Sequence, residues 1–273
     1  MSYNYCIFKV ILSTGVTLNY AAQGSAEGVP VILLHGMSDS WRSFEPVLSF
    51  LPEDYRVISL SQRGHGDSSK PEKGYYYSDF ASDLAAFMDA LNIDAAVIVG
   101  HSSGSSNAKR FAMDYPERTL GLVLIGSPTD ASNNPGDQEF YDTVISKMED
   151  PLERDQIEEL QKEVMGGKIP QQFLETIVQE SLKVPARVWK LMVLRDLEED
   201  MSAEQSKISA PTLIMWGDQD PVIPRSAQDL LLKTIPNSKL LIYEGLGHGP
   251  HWEDPERFAA DLVNFIKTIR SGQ

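Results

Sequence analysis

Cysteine is nearly absent from this chain. Cys6 stands alone among 273 residues, so no internal disulfide can form and the fold is not built to need an oxidising compartment. Positive charge is also scarce: 24 Lys and Arg face 39 Asp and Glu, for a net charge of −15. Such a surface repels phosphate backbones and anionic headgroups, so neither nucleic acid nor a membrane is an expected partner. Long apolar runs are missing too. No segment approaches the roughly 20 apolar residues that span a bilayer. The opening stretch MSYNYCIFKVIL has no basic n-region and no small-residue cleavage site. A soluble, cytoplasmic protein, monomer or homodimer, is the expectation. The remainder is ordinary, at 42% hydrophobic and 23% charged. The length allows a well-buried core, as one large domain or as a core with a small inserted lid.

Short, continuous, branched apolar runs recur at 31–34, 55–60, 95–99, 122–125, 212–216 and 240–243. Runs of this kind suit parallel strands buried on both faces. Stretches 6–12 and 16–21 flank Ser13-Thr14-Gly15 and read as a less buried hairpin. Helical stripes lie between the runs. Ala108, Phe111, Ala112 and Tyr115 share a face, and Pro116 stops that helix. Phe258, Leu262, Phe265, Ile266 and Ile269 form another stripe, opened by the cap and preset φ of Asp254-Pro255. The alternation predicts an α/β fold with a doubly wound, mostly parallel sheet and helices on both faces.

Between residues 130 and 206 the alternation stops. This stretch has helical stripes, such as Phe173, Ile177, Val178 and Leu182, and no convincing strand. It holds 18 acidic and 8 basic residues, so it carries −10 of the −15. It reads as a helical lid with an acidic outer face, inserted between core segments 1–129 and 207–273. The plainer alternative is a set of extra helices that pad the core.

Gly100-His101-Ser102-Ser103-Gly104 follows the run at 95–99 and opens a helix. This G-x-S-x-G in a strand–turn–helix context makes Ser102 the candidate nucleophile. The serine must sit on a sharp, strained turn, and neighbours two before and two after come too close for a Cβ. A base must take its proton. The chain has five histidines, His35, His65, His101, His248 and His251. His101 adjoins Ser102 on a tight turn and points away. His248 follows a late strand, on a loop leaving the same sheet edge, and is the candidate base. His251 is its rival, and otherwise lines the pocket or caps the next helix. The acid belongs on the loop after the preceding strand, where Asp218 and Asp220 both stand. Asp220 precedes a proline turn and is favoured; Asp218 could instead bond turn amides. The acid would fix the imidazole tautomer and stabilise its cation. The oxyanion would meet the amides of Ser103, just after the nucleophile, and Met37, after His35-Gly36.

These residues resemble the α/β-hydrolase superfamily, in the branch with a helical cap. The likeness spans nearly the whole chain: His35-Gly36, the stretch Gln62-Arg63-Gly64-His65-Gly66-Asp67-Ser68, residues 100–104, 216–224 and 247–255. It implies an eight-stranded sheet with a lid after the sixth strand, the triad Ser102, Asp220 and His248, and oxyanion amides at Met37 and Ser103. His35, Gly36, Trp189 and His251 are the candidate substrate-binding residues. The chain departs from the family at Ser61, often Asp, and at Gly104-Ser105, often Gly-Gly. Ser102 also argues against the dehalogenase and epoxide hydrolase branches, which use Asp there. The expected function is hydrolysis of small, largely apolar carboxylic esters or lactones through an acyl-enzyme, with no cofactor and no metal. Perhydrolase or haloperoxidase chemistry, C–C or amide hydrolysis, and slow-turnover ligand sensing are the alternatives.

Overall fold

In the computed structural model, residues 5–129, 135–166 and 169–271 are described. The N-terminal hairpin forms from β1 (Cys6–Ile11) and β2 (Thr17–Gly24), with Gly15 at φ +82° in the turn. Then come β3 (Val29–Leu34), β4 (Tyr55–Ser61), β5 (Ala96–His101), β6 (Thr119–Ile125), β7 (Thr212–Gly217) and β8 (Ser238–Tyr243). They make one sheet in the order β1-β2-β4-β3-β5-β6-β7-β8. β2 runs antiparallel to β1 and β4, and every later pairing is parallel.

Alternation along the central strands divides the core. Ile32 and Leu34 of β3 join Ile98, Leu122 and Leu124 on one face. There they meet Leu84 and Phe87 of α2 (Tyr77–Ala90) and Ala108 and Phe111 of α3 (Ser103–Asp114). Val31 and Leu33 turn to the other face with Val97, Val99, Val123 and Ile125. That face is covered by α1 (Glu45–Leu48) and by Phe258, Leu262 and Ile266 of α10 (Pro255–Ser271). The Asp254 carboxylate accepts the Arg257 N–H at 3.2 Å, so α10 starts where the Asp-Pro pair predicts. Leu231 of α8 (Arg225–Thr234) packs on the α2 side.

Among the described residues, four α-helices lie between β6 and β7: α4 (Pro135–Thr143), α5 (Arg154–Met165), α6 (Gln171–Leu182) and α7 (Ala186–Glu198). Residues 130–134 and 167–168 of this acidic stretch fall outside the described residues. Ile145, Ile157, Ile177, Val178, Val188 and Met192 form a core of their own, joined to the sheet domain through Tyr75, Phe80 and Trp252. Each such side chain, fully buried, contributes about 1.5–3 kcal/mol, so the cap is a packed layer. Among the described residues, no helix is long and apolar enough to cross a membrane. The loops leaving the carboxyl ends of β3, β5, β6, β7 and β8 meet at one sheet edge, beneath this layer.

Candidate active site

β5 continues through Gly100 and His101, two residues past its apolar run, and delivers Ser102 at φ +50°, ψ −124°. Few non-glycine residues take that conformation. The Ser102 N–H donates to the Ile125 carbonyl at 2.9 Å, which pins the turn to β6. A Cβ on Gly100 would lie 2.5 Å from the Gly104 carbonyl oxygen, and one on Gly104 would lie 2.2 Å from the His35 carbonyl oxygen. Both glycines are therefore steric requirements of the turn. Ser105, where the family often has glycine, is fully buried. Its hydroxyl bonds the Ser102 carbonyl and the Ser127 hydroxyl, the latter at 2.8 Å.

His248 leaves the loop after β8, and its Nδ1 lies 2.8 Å from Asp220 Oδ2, with both side chains buried. The other Asp220 oxygen accepts the N–H groups of Val222 and Ile223 at 2.8 and 2.9 Å. Those turn amides fix the carboxylate, and the carboxylate fixes the ring with Nδ1–H donating. Nε2 is left buried with no hydrogen-bond partner. The ring packs on Gly126, at φ +49°, where a Cβ would fall 2.9 Å from Nδ1. Asp218 takes the alternative role: its Oδ1 accepts the Gly245 N–H at 2.7 Å.

Ser102 and His248 line one cavity of about 480 Å³. Met37, Ser103, Gly36 and Trp189 also line it. Ser103 is the first residue of α3, so its amide is one of the donors a helix leaves without an internal partner. A Cβ on Gly36 would meet His101 Nδ1 at 2.9 Å and Ser102 Cβ at 3.3 Å, so the β3 loop presses directly on the elbow.

Two candidates are placed elsewhere. His35 and His251 do not line the cavity; both are fully buried behind it. His35 Nδ1 donates to the Gly36 carbonyl at 2.7 Å and Nε2 accepts the Gln62 N–H at 3.0 Å, so the ring staples the β3 and β4 loops. His251, on the short α9 (Pro250–Glu253), stacks on Phe44 at 4.6 Å and lies tilted against His101, also at 4.6 Å. His101 in turn touches His248 at 4.7 Å. Burial holds the pKa of His35, His101 and His251 well below the ordinary imidazole value, and the neighbouring histidines push the same way. These rings are neutral packing for the elbow and for His248. A histidine following a strand in the sequence does not by itself separate such packing from a pocket wall.

The cap contributes residues that the sequence does not single out. Arg195 of α7 is buried. Its guanidinium donates to Asp196 at 2.7 Å, to Ser103 Oγ at 3.1 Å and to Asn107 Oδ1 at 3.2 Å, and lies 4.2 Å over the Tyr77 ring. The Asn107 amide donates to Gln62 Oε1 at 2.7 Å, and Gln62 donates to the His35 carbonyl at 2.9 Å. A continuous chain of polar contacts thus runs from the cap to both loops that carry the candidate oxyanion amides. Asp39, on the β3 loop and the cavity wall, is buried as well. Burial pushes its carboxyl up to about 8; the Ser43 hydroxyl opposes that and the Glu180 charge adds to it.

The chain matches known proteins over nearly its whole length. A family model for the alpha/beta hydrolase fold covers residues 29–255. A non-heme chloroperoxidase of Streptomyces lividans is 28% identical over 95% of this chain and 99% of its own. A 2-hydroxy-6-oxononadienedioate/2-hydroxy-6-oxononatrienedioate hydrolase of Burkholderia vietnamiensis is 31% identical over 87% of this chain and 86% of its own. An esterase from Rhodococcus sp. ECU1013, known as a crystal structure, superposes with a TM-score of 0.84 at 26% identity, over 96% of this chain and 99% of its own. Sheet order, inserted helices and sequence together make this chain a member of the α/β-hydrolase family.

Proposed function

We propose that this protein is a serine hydrolase that cleaves small, largely apolar carboxylic esters or lactones. The observation that carries the reading is the His248–Asp220 pair, with Nδ1 held at 2.8 Å and Nε2 unpartnered in the cavity that Ser102 lines. In this mechanism His248 Nε2 takes the Ser102 proton as Oγ attacks the ester carbonyl. The Met37 and Ser103 amides receive the oxyanion. His248 then returns the proton to the departing alcohol, leaving an acyl group on Ser102. Water, deprotonated by the same imidazole, attacks the acyl-enzyme and releases the acid. In this structure His248 Nε2 makes no hydrogen bond; catalytic bonds of this kind are often long in the free enzyme and tighten around substrate. The apolar part of the cavity wall, including Met37, Phe140, Leu160, Trp189 and Val193, supports a largely apolar substrate.

Labelling with a fluorophosphonate and turnover of short p-nitrophenyl esters test the reading. Wild type should be labelled on Ser102 and turn over repeatedly, and Ser102→Ala should do neither while folding normally. Ester turnover that survives the substitution refutes the nucleophile assignment.

A second reading rests on the likeness to the Streptomyces lividans chloroperoxidase. Hydrogen peroxide can replace water in the second half-reaction: the acyl group passes to peroxide, a peracid leaves, and Ser102 regains its proton. Peracid formation from acetate ester and peroxide, dependent on Ser102, would favour it.

A further inference from the structure

Buried polar atoms without partners mark places where a molecule other than the protein is meant to complete the bonding. Among the described residues, four of the eight side chains with such an atom line the cavity: Asp39, His101, Trp189 and His248. The proposed mechanism uses His248 Nε2. His101 is packed among His248, His251 and Trp252. Asp39 Oδ1 and Trp189 Nε1 remain.

Asp39 is the more informative of the two, because its other oxygen is accounted for. Oδ2 accepts the Ser43 hydroxyl at 3.0 Å. Ser43 Oγ is oriented for that role, since it accepts the Trp252 indole N–H at 3.2 Å, and its contact with His251 Nε2 is longer, at 3.4 Å. The polar atom left without a partner is therefore Oδ1, on a residue of the cavity wall. Among the described residues, Ser43 is the side-chain partner of the carboxyl and no Lys or Arg bonds it. The charge that acts on it is Glu180 of α6, which disfavours a second negative charge.

We propose that Asp39 is a specificity-determining residue, which bonds a second oxygen of the substrate at a distance from the scissile carbonyl. The inference rests on the ester-hydrolase reading and deepens it. Burial and the Glu180 charge push the Asp39 carboxyl up to about 8, which favours the neutral acid in this site. Oδ2 is occupied as an acceptor, so Oδ1 carries the proton and donates. The ligand chemistry that satisfies it is a neutral acceptor, such as a ketone, ether or second ester oxygen. A substrate carboxylate is disfavoured by Glu180. An all-hydrocarbon ester would leave the acid unpaired, at a cost that a buried donor always carries. Sites that bond a substrate oxygen discriminate strongly against analogues that lack it.

The test compares esters of matched length. One pair varies the acyl side, p-nitrophenyl 4-oxopentanoate against p-nitrophenyl pentanoate. The other varies the alcohol side, 2-methoxyethyl pentanoate against butyl pentanoate. The readout is the ratio of kcat/KM within each pair for wild type, Asp39→Asn and Asp39→Val. Dividing each variant's ratio by that of wild type removes the intrinsic reactivity of the esters. Wild type should favour the oxygen-bearing member of one pair, and which pair shows it tells where the contacted oxygen lies. Asp39→Asn, which keeps an N–H donor, should hold the ratio within about threefold, and Asp39→Val should lower it by about tenfold or more. Wild type that cleaves all four esters with no preference overturns the inference and leaves the hydrolase reading standing, and that arm requires no variant to fold. An unchanged ratio in Asp39→Val overturns it as well. A wild type that cleaves none of the four brings down the hydrolase reading itself.

Discussion

At the sheet edge, a Cβ added to Gly100, Gly104 or Gly217 would meet backbone atoms at 2.2–2.5 Å. In the cap, a Cβ on Gly166 would meet the ring of Pro221 at 2.6 Å, and no backbone atom is among its three nearest contacts. The catalytic loops are thus held by backbone pressed on backbone, which has no rotamer with which to yield. The cap is held by side chains that interdigitate around Ile157, Ile177, Val188 and Met192, and such cores accept hydrophobic exchange when volume is kept. On the proposed mechanism the first region fixes where atoms react, and the second shapes what they react with and should be able to change without disturbing the first.

Substitutions that violate the backbone packing should therefore do the most damage. Gly104→Ala should abolish ester turnover and lower stability by more than about 3 kcal/mol in urea unfolding, because the His35 and Leu34 carbonyls cannot move aside without parting β3 from α3. Gly166→Ala, at φ +61° at the end of α5 and against the Pro221 ring, should cost less, about 1–2 kcal/mol, and lower turnover far less than Gly104→Ala. Comparable losses in the two variants would erase the distinction. Asp220→Asn separates chemistry from architecture on the rigid side. It keeps the shape and loses the charge that orients His248, so kcat should fall by about ten-thousand-fold with little change in unfolding.

Arg195 is where the two regions touch through polar groups, and it tests how independent they are. Arg195→Met leaves Ser103 Oγ, Asn107 Oδ1 and Asp196 without the guanidinium. The Asp196 side chain is 22% exposed, so water recovers part of the loss. Stability should fall by about 2 kcal/mol, short of the 3–5 typical of a fully buried broken pair. If the contact aims the Ser103 amide, kcat should drop by about tenfold with KM nearly constant. Arg195→Lys should recover charge without the planar fork, and so recover stability better than kcat. A change confined to KM would make Arg195 a wall of the pocket only.

What the sequence made legible follows the same division. The elbow could be read because its chemistry tolerates one residue type at three positions, Gly100, Ser102 and Gly104. The pairing of His248 with Asp220 could be expected because each follows a recognisable strand and only two residues compete for each place. The apolar stripes located α3 and α10 because burial on one face leaves a period. His35 and His251 were misplaced because whether a loop side chain faces a cavity or the layer behind it depends on distant partners, here Gln62 for one and Phe44 for the other. Asp39 and Arg195 gave no signal at all. Their roles come from burial and from contacts 88 and 92 residues away in the case of Arg195, and no local pattern encodes those.

Four buried histidines, none of them within residues 130–206, give the rigid region a pH dependence of its own. Burial lowers His65 to about 4 and holds His35, His101 and His251 well below the ordinary value of about 6.5. As pH falls through 6.5, the unfolded chain takes up protons at these sites and the folded protein does not, so stability falls toward pH 4. Asp39 has the opposite sign. Its folded carboxyl keeps a proton up to about 8 that the unfolded chain loses above about 4, so its contribution declines as pH rises through that window. Glu199 and Glu253, also raised by burial, share the sign of Asp39; the four imidazoles outweigh these carboxyls, and unfolding free energy should drop by more than about 2 kcal/mol between pH 7 and 5. His65→Gln should flatten part of that slope. A stability constant over this range would mean that the rings are not held neutral.

The smallest effect belongs to the outer face of the cap. Arg154 and Glu175 pair across α5 and α6, with side chains 39% and 47% exposed. Water screens such a pair, and holding two long side chains in one geometry offsets much of the attraction. The cap stretch carries 18 acidic against 8 basic residues, so removing one negative charge also relieves some repulsion among its neighbours. Glu175→Gln should therefore leave both the unfolding midpoint and ester turnover within measurement error at physiological salt. A clear loss of turnover would show that surface charge on the cap reaches the cavity, and the separation between a fixed reacting edge and an adaptable cover would then fail at its outermost point.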